Sequence, residues 1–362
     1  VTRTIIAKRL GRLTGGGIFG ESQKLGDELD WRESGILGCD SIQNAVHRGK
    51  MFWAWGDTTV PSYPLGIFDM TSATTAIQPL KNFEPPLHLP LNYFTDEKKF
   101  PRAVAKMAGT GPTWLSGYVS LPDKDGRERL VADYIKIKGS MDAYESGLCV
   151  WNEQTENFDH LKTIWTKSDD APTHPNSPDG HPAFWKDASG KKWVLFGNPF
   201  PKMRIEASYE NWQDPSKWET LQPQTNLVSA ADGKLIQPHS GSIAWNSFRK
   251  CWVTVFMQNF GSPSAFGELW YAESDSPFGP WGKAVKVLSH ENYTFYNPRL
   301  HPEFTPEGSP ILIFEGTYTA SFANKPAPTQ PAKEKSVTKT PPKAAPDAPA
   351  DLSEYIKQSK AR

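Results

Sequence analysis

The chain has 362 residues, with 40 Lys and Arg against 40 Asp and Glu, and hydrophobic residues at 38%. A formal net charge of zero leaves no global field to draw it to nucleic acid or an anionic membrane surface, so neither is expected as a partner. No apolar run approaches the roughly 18 residues of a membrane span, and the length suits one large all-β unit.

Cys39, Cys149 and Cys251 stand far apart, are odd in number and lack metal-ligand spacing. They are expected as buried thiols, with a disulfide only if the fold brings two together. Most of the 14 Trp are assigned to packing between sheets, and a few to stacking platforms for flat ligands.

Taken in chain order, five hairpins recur. The first runs through Ser41–Arg48 and Lys50–Trp55, turning at Gly49. The second uses Trp114–Leu121 and Arg129–Ile135 with a turn at Asp125-Gly126, and the third Pro182–Lys186 and Lys192–Phe196 with a turn at Ser189-Gly190. The fourth pairs Ser240–Trp245 with Cys251–Met257, and the fifth Arg299–Phe304 with Pro310–Phe314. Gly turns between β-forming runs are hairpin chemistry. Third strands are expected at Leu65–Met70, Gly147–Trp151, Met203–Ala207 and Leu269–Ser274. Turns 58 to 77 residues apart leave room for a four-stranded sheet per unit. Five such units, unable to bury both faces alone, close into a five-bladed β-propeller over residues 1–324, with Thr2–Ala7 as the closing strand. A β-sandwich is the competing architecture. From Lys325 onward, Pro, Ala, Lys and Thr dominate. Such composition cannot offset its ordering entropy, so residues 325–362 are expected to be a disordered tail.

In a propeller, the residue before each innermost strand and the residue after the second strand meet at one end of the central channel. Before the inner strands stand Asp40, Trp114, His181, His239 and Asn297; after the second strands stand Asp57, Asp133 to Lys136, Asn198, Gln258-Asn259 and Glu315. In four units the two positions lie 17 to 20 residues apart. Polar groups at matched points serve either as turn caps or as a ligand site, and the complete ring favours a site, since a core does not tolerate so many unpaired polar groups.

The phrases Trp55-Gly-Asp-Thr58, Asp179-Gly-His-Pro-Ala-Phe-Trp185, His239-Ser-Gly-Ser-Ile-Ala-Trp245, Ser276-Pro-Phe-Gly-Pro-Trp281 and Phe295-Tyr-Asn-Pro-Arg-Leu-His-Pro302, with the five-fold repeat, resemble the five-bladed glycoside hydrolases of the arabinanase, xylosidase and fructosidase type over about residues 30–320. The resemblance implies a secreted or periplasmic enzyme acting on a carbohydrate. It places Asp40 at the position of the general base, and implies a hydrated cation near a His of the last unit. His301 marks that place, and calcium suits its oxygen-rich surroundings without being required. The family's acidic trio includes a Glu on the third unit, where this chain offers Asn198, Arg204 and Glu206.

Glycoside cleavage needs a protonated carboxyl for the leaving oxygen and a second carboxylate to activate water or attack. Asp40, Asp57 and Glu315 are the candidates. Glu315 follows the apolar run Ile311–Phe314, an environment expected to raise a carboxyl pKa. Trp55, Trp114 and Tyr318 are the candidate platforms. His181, Asn198, His239, Asn259 and Asn297 are candidate sugar ligands, and Arg204 a candidate grip on an anionic sugar or an ion-pair partner of Glu206 or Asp57. A non-catalytic glycan- or protein-binding propeller and a polysaccharide lyase are the alternatives. A monomer is expected.

Overall fold

The computed structural model describes residues 7–15, 35–60, 63–67, 69–77, 85, 89–139, 141–259 and 266–319. The expected closing strand at Thr2–Ala7 falls almost wholly outside them, and so does the expected tail.

The described chain is almost entirely β. Sheet I is built from Ile42–His47, Lys50–Trp55, Thr71–Ala76 and Asn92–Tyr93, and sheet II from Thr113–Pro122, Glu128–Lys138, Asp142–Asn152 and Asn157–Thr166. Sheet III comprises Ala183–Lys186, Lys192–Gly197, Pro201–Glu206 and Glu219–Thr220; sheet IV comprises Pro238–Asn246, Cys251–Gln258, Glu268–Ser274 and Val285–Ser289. Each is an antiparallel sheet whose strands follow one another in sequence. Sheet V has two strands among the described residues, Thr294–Leu300 and Phe314–Thr319. Among the described residues one α-helix, Tyr209–Gln213, starts at Ser208, whose hydroxyl accepts from the Asn211 N–H. Among the described residues no helix is long and apolar enough to cross a membrane.

The sheets stack in a closed order. Ala45 and Phe52 of sheet I pack on Leu115 and Tyr118 of sheet II. Val119 and Val131 of sheet II meet Val194 and Phe196 of sheet III. Trp193 and Leu195 of sheet III meet Ile243 and Trp252 of sheet IV, and Val253 and Val255 of sheet IV meet Leu300 of sheet V. Ile42 and Trp53 of sheet I then pack on Phe304 and Ile313, beside sheet V. This cycle of neighbours is a propeller. Each sheet buries two faces against partners, which is why alternation in the inner strands gives way to continuous burial.

Four of the five sequence hairpins lie where expected. The fifth is displaced. Its first strand ends at Leu300, because Pro302 opens a 3₁₀ turn through Phe304. Residues 310–313 run outside any ladder, and the second strand starts at Phe314. In sheet I the third strand is Thr71–Ala76 rather than Leu65–Met70. Tyr63–Ile67 instead pairs with Thr58–Val60 in a small separate sheet. The three cysteines are unpaired; Cys39 is half-buried and the other two are buried.

Sheets II and III touch backbone to backbone. The Gly117 N–H donates to the Gly180 carbonyl at 3.0 Å, and the Gly180 N–H donates to Ser116 Oγ at 2.8 Å. Gly117 has φ +61°, and a β-carbon there would lie 1.7 Å from the Pro178 carbonyl oxygen. Gly117→Ala should therefore force the two sheets apart and cost about 2–3 kcal/mol, read as a lower urea midpoint with an unchanged slope.

Candidate active site

Asp40 and Asp57 are brought together by the closing end of the first hairpin. The Asp40 N–H donates to the Asp57 carbonyl and the Gly56 N–H to the Asp40 carbonyl, both at 2.9 Å. The Asp40 carboxylate accepts from the Ser41 N–H at 2.7 Å. Sheet V reaches the same point: Ser41 N–H also donates to Thr317 Oγ1 at 3.1 Å, and the Asn297 amide donates to Ser41 Oγ. Asp57 is half-buried, and its enclosed Oδ1 has no hydrogen-bond partner in the protein. Burial, and then the negative charge of Asp40, push its carboxyl up to about 6. A carboxyl whose pKa burial has raised thus stands beside a second carboxylate, a pairing of the kind that acid–base chemistry uses.

Beneath this pair runs a chain of hydrogen bonds with a single direction. Arg299, buried on the inner strand of sheet V, donates from Nε to Asn44 Oδ1 and from Nη2 to the Asn44 carbonyl. A guanidinium only donates, so the Asn44 amide oxygen faces Arg299 and its nitrogen faces outward. That nitrogen lies 2.9 Å from His301 Nδ1, which must therefore accept. The ring proton then resides on Nε2, which donates to Glu315 Oε1 at 3.0 Å. Glu315 lies two residues before Thr317 on one strand, hence on the same face and one step deeper than the Ser41 contact. Trp53 covers His301, with ring centroids 5.4 Å apart. His181 is buried nearby; burial, and then the Arg299 guanidinium, hold its imidazole well below the usual range.

These contacts correct several expectations. Glu315 is not set in an apolar pocket, since it accepts from His301; beside Asp40 it is the Asp57 carboxyl that burial raises. Neither ring nitrogen of His301 keeps a lone pair for a cation, so direct calcium ligation there does not fit. Among the described residues, no group of three or more His, Cys, Asp or Glu is placed to hold a metal. Trp55 is not a platform, because it is buried and stacked on Trp53 at 6.1 Å. Trp114 is half-buried against the core between sheets I and II. Tyr318 stacks on Tyr293 at 4.7 Å and has the Arg9 guanidinium 4.5 Å from its ring centre. Arg204 lies on the third strand of sheet III, bonded to Glu219 at 2.7 and 2.8 Å and set over Trp193. Glu206 pairs with Lys191 at 2.9 Å, so neither reaches the channel. His239 is exposed beside Phe266 and Tyr296. Asn259 donates its backbone N–H to the Gln237 carbonyl, and the Asn198 side chain bridges to sheet IV through Gly241.

No family model matches the chain, and no curated protein matches it. Among solved structures it is similar to an exo-1,5-α-L-arabinanase from a bovine ruminal metagenomic library, at 12% identity over 75% of this chain and 85% of that one, with a TM-score of 0.40. A GH43 endo-arabinanase from Bacillus licheniformis gives 9% identity over 73% and 83%, at 0.37. An exo-β-1,3-galactanase from Phanerochaete chrysosporium gives 9% over 83% of this chain and 58% of that one, at 0.41. These similar structures are glycoside hydrolases. With scores of this size, what the channel does has to be read from its own side chains.

Three of those side chains carry no signal in local sequence. Asn44 and Arg299 sit within strands, and Ser41 in a tight connection at φ +42°. A polar residue inside an otherwise buried strand was the one cue available, and it is equally the cue for a structural bond. Asp133 is a further buried carboxyl, pushed well up by burial and then by Asp179. Lys136 is buried too, with Nζ donating to the carbonyls of Met107 and Gly111 and to Thr113 Oγ1; it ties a loop to sheet II.

Proposed function

We propose that the chain is a glycoside hydrolase cleaving a poly- or oligosaccharide at the channel mouth, with Asp57 as the acid and Asp40 as the base or nucleophile. One observation carries this: a half-buried carboxyl raised to about 6, with an oxygen unpartnered in the protein, beside a second carboxylate. Asp57 protonates the glycosidic oxygen. Asp40, oriented by the Ser41 N–H, activates water or attacks the anomeric carbon. Glu315, held as an acceptor by His301, accepts a hydrogen bond from a sugar hydroxyl through its other oxygen. Export as a monomer accords with a polymeric substrate.

The experiment is a screen of neutral and acidic polysaccharides with product analysis, run on the wild type and on Asp40→Asn. Cleavage by the wild type and its loss in Asp40→Asn are expected. Glycan binding with no cleavage anywhere in the panel would instead identify a non-catalytic propeller. Products with the ultraviolet absorbance of an unsaturated sugar would identify a lyase.

A further inference from the structure

A cleft of about 320 Å³ opens between sheets III and IV, within the range of about 300–1,000 Å³ that holds small ligands. Asn198, at its rim, follows the second strand of sheet III as Asp57 follows that of sheet I. Pro238, on its wall, opens the first strand of sheet IV as Asp40 precedes that of sheet I. Equivalent strand ends lie on one face of a ring, so the cleft opens on the same face as the two aspartates.

Its polar groups are held before any ligand arrives. Lys202 Nζ donates to Asp179 Oδ2 at 2.7 Å, with the two side chains 27% and 30% exposed. That bond leaves protons on the ammonium and an oxygen on the carboxylate for a ligand. The Asn198 carbonyl oxygen accepts from the Gly241 N–H at 2.8 Å, which leaves the amide nitrogen as a fixed donor. Gln224 is pinned at both ends, accepting from the Trp281 N–H at 3.0 Å and donating to the Asn226 carbonyl at 2.9 Å. Phe200 and Pro238 add apolar wall. Donors and an acceptor fixed side by side against apolar walls are what a sugar ring with adjacent hydroxyls requires. One hydroxyl donates to Asp179 while its neighbour accepts from Lys202 or Asn198.

We infer that this cleft is a second sugar subsite, taking a neutral sugar residue of the same chain that the aspartate pair cleaves, with Asp179 and Lys202 reading a vicinal diol. The inference rests on the glycan-cleaving reading of the channel mouth. It also names the class of sugar: a uronate or sulfated residue would place its anion against Asp179, and Lys202 is already paired.

The test is calorimetric titration of xylotriose, arabinotriose, galactotriose and cellotriose, with trigalacturonic acid as the anionic probe. The proteins are the full chain, the double variant Asp179→Asn/Lys202→Met, Lys202→Gln alone, and Asp57→Asn. Removing both members leaves no unpaired charge, so the double variant should fold, as its melting curve will show. At least one neutral trisaccharide should bind the wild type, and the double variant should bind it at least about tenfold more weakly, a loss of one to two hydrogen bonds. Lys202→Gln should lie between, and Asp57→Asn should bind as the wild type does. Binding by the double variant within about twofold of the wild type overturns the subsite. So does a wild type that prefers trigalacturonic acid or binds none of these trisaccharides. If Asp57→Asn keeps its turnover while the double variant loses binding, the acid assignment fails and the subsite stands.

Discussion

Replacing Asp57 with Asn should lower turnover by about 10²–10⁴-fold while leaving sugar binding intact. The loss comes from removing the proton donor, since Asn has the same shape and cannot deliver a proton to the leaving oxygen. In the wild type, kcat/KM should fall as pH rises through about 6, where Asp57 gives up its proton. In Asp57→Asn that limb should be absent. Wild-type stability should fall over the same pH range. The folded protein binds this proton more tightly than the unfolded chain, where the carboxyl titrates near 3.8. The stabilising contribution is therefore complete below pH 3.8 and is lost as pH rises to about 6. Asn does not ionise, so the variant should melt above the wild type at about pH 8, with the gap closing toward about pH 4. Equal melting curves at both pH values, with turnover retained, would remove Asp57 from the chemistry.

Replacing Asn44 with Leu should be the most destabilising single change at the floor of the channel. Leu fills similar space but leaves the buried Arg299 guanidinium without its side-chain and amide-matched partner and His301 Nδ1 without a donor. Breaking one side of a buried charged contact costs about 3–5 kcal/mol, so the melting temperature should drop by roughly 6–12 °C even at the lower figure. Asn44→Asp separates the two halves of this effect. An Asp carboxylate still accepts from Arg299 but cannot donate to His301 Nδ1; once that ring takes up a proton, Nδ1–H donates to the carboxylate instead. It should cost less than Leu, and its stability should improve as pH falls, because an imidazolium would then bridge two carboxylates. Differential scanning calorimetry over pH gives both readings. If Leu at position 44 melts with the wild type, the Arg299-to-Glu315 chain contributes nothing to the fold.

The all-β class and four hairpins were legible in the sequence because each is a local event. Gly49, Gly126 and Gly190 turn back runs of β-formers whose partners lie within a few residues. The proximity of Asp40 and Asp57 was legible for the same reason, since they bracket one hairpin. The fifth unit was misplaced because the apolar run Ile311–Ile313 reads as a strand, yet Pro302 ends the preceding strand before it can pair there. Trp55 and Arg204 were misread for another reason. Period-two alternation puts Trp53 and Trp55 on one face but does not say what that face meets; it packs on Phe304 and Ile313, while Arg204 lies opposite Glu219 on the neighbouring strand. What the sequence determined by itself was the set of candidate polar groups: Asp40 and Asp57 stand at strand ends as expected, whereas Asn297 and Glu315 fall inside the strands of sheet V. Only the tertiary structure decided their chemistry, because Arg299 meets Asn44 across 255 residues and His301 meets Asn44 across 257. Those bonds exist only once sheet V packs on sheet I. They fix the His301 tautomer and commit Glu315 to an accepting role, while burial at the end of the first hairpin raises the Asp57 carboxyl to about 6.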